Sequence, residues 1–462
     1  MRRPLPALKT AVGPPTQERP KVIFYFDIVC PYAYLASTQI EAVASRVGAD
    51  IVWQPVLLGG ILKALDSHPD QGPEARRQMT RLDLLRWAEH LGVPLRYPAE
   101  HPRRTVEAMR LVCWAPPAAR PPLVHALYRA YWVEGEDISD IEVLARVATA
   151  VGLNGGSACI GLQSPAARLE LHRSTEEALR AGVFGVPTFV VESHRGPQLF
   201  FGQDRLHFVE AALLMHPLAK KKPEHDPGKR QPTPQDILAT ANPVANLARR
   251  LTFFYDFSSP FSYLASTQIE DVARRHGAVI NWHPILLGGL FRSIGTPLVP
   301  LQSYSEPKRR YIREDLLRWA HYYDQPFHWP SRFPMMTVTA LRLALLAGPA
   351  IGPLSHELFR AYWVQDLDLN DPAVLEGALR RVGLDPALLQ RVGDPEVKQK
   401  LLANTKAAER AGVFGAPSFL VEQHHGPPQL FFGQDRLHFV EKALQRGTGT
   451  TPEPQVIVRS SK

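Results

Sequence analysis

The runs Val22–Phe26 and Leu251–Tyr255 are dominated by β-branched and aromatic residues, the pattern of a buried strand. Each run leads into an Asp, a short loop and then Cys30-Pro31 or Ser259-Pro260. Proline is favoured at the first helical position, so a helix is predicted to open at each site. The segment YLASTQIEAVASRVG keeps its apolar residues on one face and stops at Gly48, its counterpart at Gly277. Ala49–Leu57 then reads as another strand, giving β-α-β. A long helical stretch follows, with Leu82, Leu85, Trp87, Ala88 and Leu91 on one face and a second apolar face in Leu123–Val133. Ser139 and Glu142 are spaced as a capping box ahead of Ile141, Leu144, Val147 and Val151, and Asn370-Asp371-Pro372 starts the matching helix further on. Pro187-Thr-Phe-Val-Val and Pro417-Ser-Phe-Leu-Val read as strands. Each passes through a short loop to Leu-Phe-Phe and a final helix opened by Asp204 or Asp435, which is β-β-α.

The same pattern occurs twice because the sequence does. FDIVCPYAYLASTQIE (26–41) returns as YDFSSPFSYLASTQIE (255–270), and WQPVLLGGIL (53–62) as WHPILLGGLF (282–291). DLLRWA (83–88 and 315–320), RAYWV (129–133 and 360–364), AGVFGVPTFVVE (181–192, with AGVFGAPSFLVE at 411–422) and FFGQDRLHFVE (200–210 and 431–441) keep the same order. The period is far too long for a solenoid, so one domain has been duplicated. The expected division is an arm at 1–20, a first copy at 21–215, a Pro-rich and charged joint at 216–250, a second copy at 251–445 and a tail at 446–462. A β-α-β unit and a β-β-α unit separated by helices make an α/β domain of thioredoxin type with a helical insertion.

Composition narrows the classes. Of 462 residues 45% are hydrophobic and 21% charged, ordinary globular usage. The 43 prolines are well above the common share. Much of the net charge of +8 lies in short runs such as Lys220-Lys221-Lys222 and Arg249-Arg250, with no basic block interleaved with stacking aromatics, so nucleic acid is not the expected partner. Three cysteines, Cys30, Cys113 and Cys159, form no Cys-x-x-Cys, which excludes a disulfide scaffold and a cysteine-rich zinc site. The first twenty residues lack the continuous apolar core of a secretory signal, and no stretch is long and apolar enough for a spanning helix. A soluble, cytoplasmic protein is expected, with no metal.

Four paired positions carry the candidate chemistry. Cys30 and Ser259 each stand where a strand gives way to a helix N-terminus, which favours a thiolate. That thiolate is Cys30 itself in one reading and a bound one receiving a hydrogen bond from Ser259 in the other. The alternative is a serine N-cap and a small buried cysteine. Val186-Pro187 and Ala416-Pro417 precede strands and are candidate cis bonds whose flanking backbone can pair with a peptide-like ligand, or plain strand-starting prolines. Gln203-Asp204 and Gln434-Asp435 are candidates to grip an ammonium, or structural caps. Lys63 and Arg292 are candidates for a carboxylate, or solvated bases.

As an ordered set, DFSSPFSYLA (256–265), PILLGGLF (284–291), DLLRWA, RAYWV, GVFGAPSF (412–419) and FFGQDRLHFVE resemble the 2-hydroxychromene-2-carboxylate isomerases and kappa-class glutathione transferases, within the DsbA-like thioredoxin superfamily. The resemblance covers both copies. It implies two tandem DsbA-like domains, each with a helical insertion between its βαβ and ββα halves, and glutathione as cofactor. On this resemblance Ser259 stabilises the glutathione thiolate, Ala416 before Pro417 pairs with its cysteinyl backbone, Gln434 and Asp435 hold its γ-glutamyl end, and Arg292 meets a carboxylate. Cys30, Val186 with Pro187, Gln203, Asp204 and Lys63 occupy those places in the first copy. Cys30 replaces the family serine, with Ala33 where a second cysteine would resolve a disulfide. Arg104 and Met336 stand where a polar asparagine is expected, and Phe201 and Phe432 replace a tryptophan.

The leading expectation is a glutathione-dependent cis-trans isomerase of an aryl enone acid, in which a glutathione thiolate adds to the electron-poor double bond and leaves after rotation. The alternatives are a glutathione transferase, a one-cysteine thiol-disulfide exchanger using Cys30, or a tandem binding module with one inactive copy. Family members commonly form homodimers, so a monomer with an internal pseudo-dimer is expected.

Overall fold

Phe24 lies between Phe189 and Trp53, with ring centroids 5.1 and 5.3 Å away, and this aromatic layer sets the order of the first sheet. In the computed structural model, which describes residues 19–67, 72–193, 196–219, 249–422 and 427–446, β1 (Lys21–Phe26) runs parallel to β2 (Asp50–Pro55). It runs antiparallel to β3 (Thr188–Val191), which pairs antiparallel with β4 (Gln198–Phe201). The order β2-β1-β3-β4 is repeated by β5 (Arg249–Tyr255), β6 (Ala278–Pro284), β7 (Ser418–Val421) and β8 (Gln429–Phe432) as β6-β5-β7-β8. Phe253 stacks on Phe419 at 5.5 Å in the second sheet, as Phe24 does on Phe189 in the first.

A helix crosses over between each parallel pair, Pro31–Val47 in the first copy and Pro260–Arg275 in the second. The first ends at Gly48, whose φ of 68° suits the left-handed cap glycine adopts easily. Both are tied to the last helix of their copy by equivalent ion pairs. Arg46 meets Glu210 at 2.9 and 2.8 Å, and Arg275 meets the fully buried Glu441 at 2.9 and 2.8 Å. Between β2 and β3 the first copy inserts helices that include Leu58–Ala64, Glu74–Leu91, Val106–Trp114, Ile141–Ala150 and Pro165–Arg180. The second inserts Leu287–Ser293, Glu306–Tyr322, Val338–Leu346, Ile351–Trp363 and Pro395–Arg410 among others. Among the described residues no helix is long and apolar enough to cross a membrane. The arm, joint and tail expected at 1–20, 216–250 and 446–462 lie almost wholly outside the described residues.

Two expected helix starts are different. Ser139 does not cap: Asp137 Oδ1 takes both its N–H and its hydroxyl, and Asp140 caps Ile141–Ala150 by accepting from Glu142 N at 2.9 Å. A carboxylate one residue nearer is the stronger acceptor and outcompetes the hydroxyl. Asp204 and Asp435 are likewise not caps but lie inside short 3₁₀ turns, Gln203–Arg205 and Gln434–Arg436, ahead of the final helices.

Compactness cuts the chain differently from the repeat. Of the described residues, those within 1–58, 102–131 and 136–229 form one unit, and those within 59–101, 132–135 and 230–462 the other. The Glu74–Leu91 helix, first-copy in sequence, therefore belongs to the unit built on the second sheet. Within that unit Asp83 takes both arms of Arg436 at 2.7 and 3.1 Å, Arg86 donates to Leu430 O at 2.8 Å, and Trp87 packs on Phe439 at 5.0 Å.

Candidate active site

Backbone N–H groups at a helix start have no intrahelical partner and a hydroxyl just ahead of them accepts readily. Ser259 does this, accepting from Ser262 N at 3.1 Å while its own hydroxyl donates to Ala416 O at 2.9 Å. It is 3% exposed. Ala416-Pro417 is cis, as is Val186-Pro187. A third cis bond, Phe333-Pro334, was not foreseen, because nothing in its sequence separates it from the other X-Pro pairs.

Cys30 repeats the bond, its Sγ donating to Val186 O at 3.1 Å, but it caps nothing. Burial pushes its thiol up to about 12; the Ala33 and Tyr32 backbone N–H groups pull it down by less, and Asp27 pushes it further up. At neutral pH Cys30 is therefore a protonated donor, opposite to the lowered value a thiolate nucleophile needs.

Behind each of these residues stands an aspartate that sequence reasoning passed over. Asp256, 1% exposed, accepts from four donors: Ser258 N at 2.9 Å, the Ser258 hydroxyl at 3.0 Å, the Thr337 hydroxyl at 2.6 Å and Leu287 N at 2.9 Å. It thereby ties the Ser259 loop to the start of the Leu287–Ser293 helix. Asp27 does the same for Val29 and Leu58, at 3.2 and 2.9 Å. Burial holds both carboxyls above the ordinary value although their donors pull the other way. The available signal was repetition: each Asp and each Thr of Thr105-Val106 and Thr337-Val338 keeps its place in both copies.

Ser259 opens onto a cavity of about 250 Å³. Ala416, Gly415, Phe261, Phe291, Trp329 and Phe432 are among its walls. Arg292, Gln434 and Asp435 are not. Arg292 is exposed at the end of its helix, and Gln434 is buried, its carbonyl accepting from the Tyr323 hydroxyl at 3.2 Å. Asp435 already pairs with Arg436 at 3.2 Å, and Asp204 with Arg205 at 2.9 Å. Lys63 is exposed and falls in the second compact unit, whereas Cys30 falls in the first. Arg104 is taken by Glu107 and Met336 is 74% exposed.

One wall of the cavity suits a thiol, while most of the others are apolar. A hydroxyl at a helix N-terminus lies in that wall, and Thr296 Oγ1, also of a wall residue, is buried with no hydrogen-bond partner among the described residues. Gln203 Nε2 of the first copy is a buried donor in the same condition.

The two sheets, their inserted helices and the cis-proline turn beside each helix N-terminus define a class. The DSBA-like thioredoxin domain profile matches residues 21–214 and again 250–445, and the chain belongs to that family twice over. Within it, this chain stands in the group of 2-hydroxychromene-2-carboxylate isomerases and kappa-class glutathione transferases. It is 32% identical to the 2-hydroxychromene-2-carboxylate isomerase of Sphingobium xenophagum over 199 residues, 43% of this chain and 99% of that one. It is 26% identical to glutathione S-transferase kappa 1 of Homo sapiens over 214 residues, 43% and 92% of the two chains. A solved 2-hydroxychromene-2-carboxylate isomerase aligns with 43% of this chain and 95% of its own at 24% identity and a TM-score of 0.37.

Proposed function

We propose that the second copy is a glutathione-dependent isomerase acting on an aryl enone acid in the Ser259 cavity. The observation that carries this reading is the position of the Ser259 hydroxyl, at a helix N-terminus, beside the backbone of Ala416 and in the wall of an apolar cavity. Bound glutathione would supply a thiolate able to add reversibly to an electron-poor double bond.

The chain's own part is to hold and shield. The start of the Pro260–Arg275 helix favours negative charge beside Ser259. Ser259 gives its proton to Ala416 O until a better acceptor arrives, and turning it outward leaves that carbonyl open to an amide N–H of the ligand. Phe261, Phe291 and Phe432 keep water away, which strengthens the hydrogen bond that Ser259 makes. Asp256 fixes the loop, so the hydroxyl is aimed in advance.

A hydrogen bond to a charged group contributes about 1.5–3 kcal/mol. Ser259→Ala is therefore expected to lower kcat about 10–150-fold with an unchanged far-ultraviolet spectrum. Turnover that ignores glutathione, or that is the same in Ser259→Ala, would remove this reading. Support for Cys30 as a thiol exchanger is weaker, since burial holds that thiol protonated.

A further inference from the structure

Arg76 and Lys308 hold the same place in the two copies, in Glu-Ala-Arg-Arg (74–77) and Glu-Pro-Lys-Arg (306–309). In each helix the glutamate is taken by the following arginine, Glu74 by Arg77 at 2.9 Å and Glu306 by Arg309 at 3.1 Å. Among the described residues neither Arg76 nor Lys308 has a carboxylate in ion-pair contact. They are nonetheless close enough for Arg76 to repel the Lys308 ammonium. That repulsion adds to burial, the larger cause, in pulling Lys308 down to about 8. Lys308 Nζ stands 3.9 Å over the ring of Tyr304.

Tyr304 and Arg76 both line the Ser259 cavity, and all of these residues belong to the same compact unit. Two neighbouring cations with no ion-paired carboxylate among the described residues, beside a cavity whose other walls are mostly apolar, make a site for an anion with an apolar body. We propose that Arg76 and Lys308 form the carboxylate-binding end of this cavity, and that its ligand is an aromatic acid whose ring lies among Phe261, Trp329 and Phe432. The assignment rests on the Ser259 cavity being the substrate site. It has a consequence for the duplication: a residue of the first copy furnishes half of the charge that the second copy's site presents to its ligand.

Glutathione also carries carboxylates, but the largely apolar wall favours an aromatic body over a tripeptide. The test uses the full chain and calorimetric titration with three probes: trans-cinnamate, its uncharged amide cinnamide, and glutathione. Arg76→Met and Lys308→Met are each expected to weaken cinnamate about tenfold while leaving cinnamide unchanged. Failure of the full chain to bind cinnamate, equal effects on cinnamate and cinnamide, or no effect on either overturns the proposal. It is also overturned if the two variants weaken glutathione and leave cinnamate alone, because the cations then hold the tripeptide. Charge-selective loss of cinnamate in a chain that shows no glutathione-dependent turnover supports the assignment and removes the isomerase reading instead.

Discussion

Cys30 and Ser259 make the same hydrogen bond to the residue before a cis-proline, yet only the serine also accepts from its helix. A hydroxyl can serve as cap and donor together, whereas a buried thiol is a weak donor. Iodoacetamide is expected to alkylate Cys30 slowly throughout the neutral range, because its pKa of about 12 leaves little thiolate. A fast phase near pH 7, mapped to Cys30 by peptide mass, would contradict this. The position of Cys30 was legible from Pro31 beside it. Its protonation was not, since the burial that decides it exists only once the chain has folded, as the contact with Val186 from 156 residues away shows. Glycines divide as sharply. Gly433 has φ 102°, and a Cβ there would stand 2.6 Å from Asp435 Oδ1, while one on Gly288 would meet nothing within 4 Å. Gly433→Ala should lower stability by about 1–3 kcal/mol in urea denaturation, and Gly288→Ala, inside a helix, should raise it by about 0.5–1 kcal/mol.

The loop from β5 into the Pro260–Arg275 helix is held by the Asp256 carboxylate rather than by any local turn signal. Its raised pKa fixes the sign of a pH effect. The native state holds the proton more tightly than the unfolded chain. Its contribution is therefore full below the ordinary carboxylate value and is lost as pH rises through the raised one. Asp256→Asn keeps the shape, removes that titration and leaves at least one of the four donors facing an amide. Urea denaturation from acid to neutral pH should show a variant destabilised by about 1–3 kcal/mol at acid pH, with the gap narrowing as pH rises. A gap independent of pH would mean that the carboxyl does not titrate in this way. The central strands could be read from apolar runs because burial on both faces demands them, and the crossover helices from the one apolar face that each buries. Ser139 and Asp204 misled because several acceptors compete within a few residues, and only the folded loop selects one.

At the scale of the chain, repetition disclosed one domain used twice but not the reassignment of 59–101 to the second compact unit. Sequence likeness tracks descent, and compactness tracks packing, so the two need not divide the chain alike. With both copies already joined covalently, light scattering is expected to give a single chain of 51.6 kDa. Twice that mass would show that the copies still seek a second molecule. The Asp83–Arg436 pairing spans 353 residues of sequence. At a translation speed of about 5–20 residues per second, Trp87 and its helix leave the ribosome about 20–70 s before the helix they pack against exists. During that interval an unfinished apolar face is open to the ribosome surface, to chaperones and to other nascent chains. The slowest step in making this protein is thus expected to be set by waiting for its C-terminus.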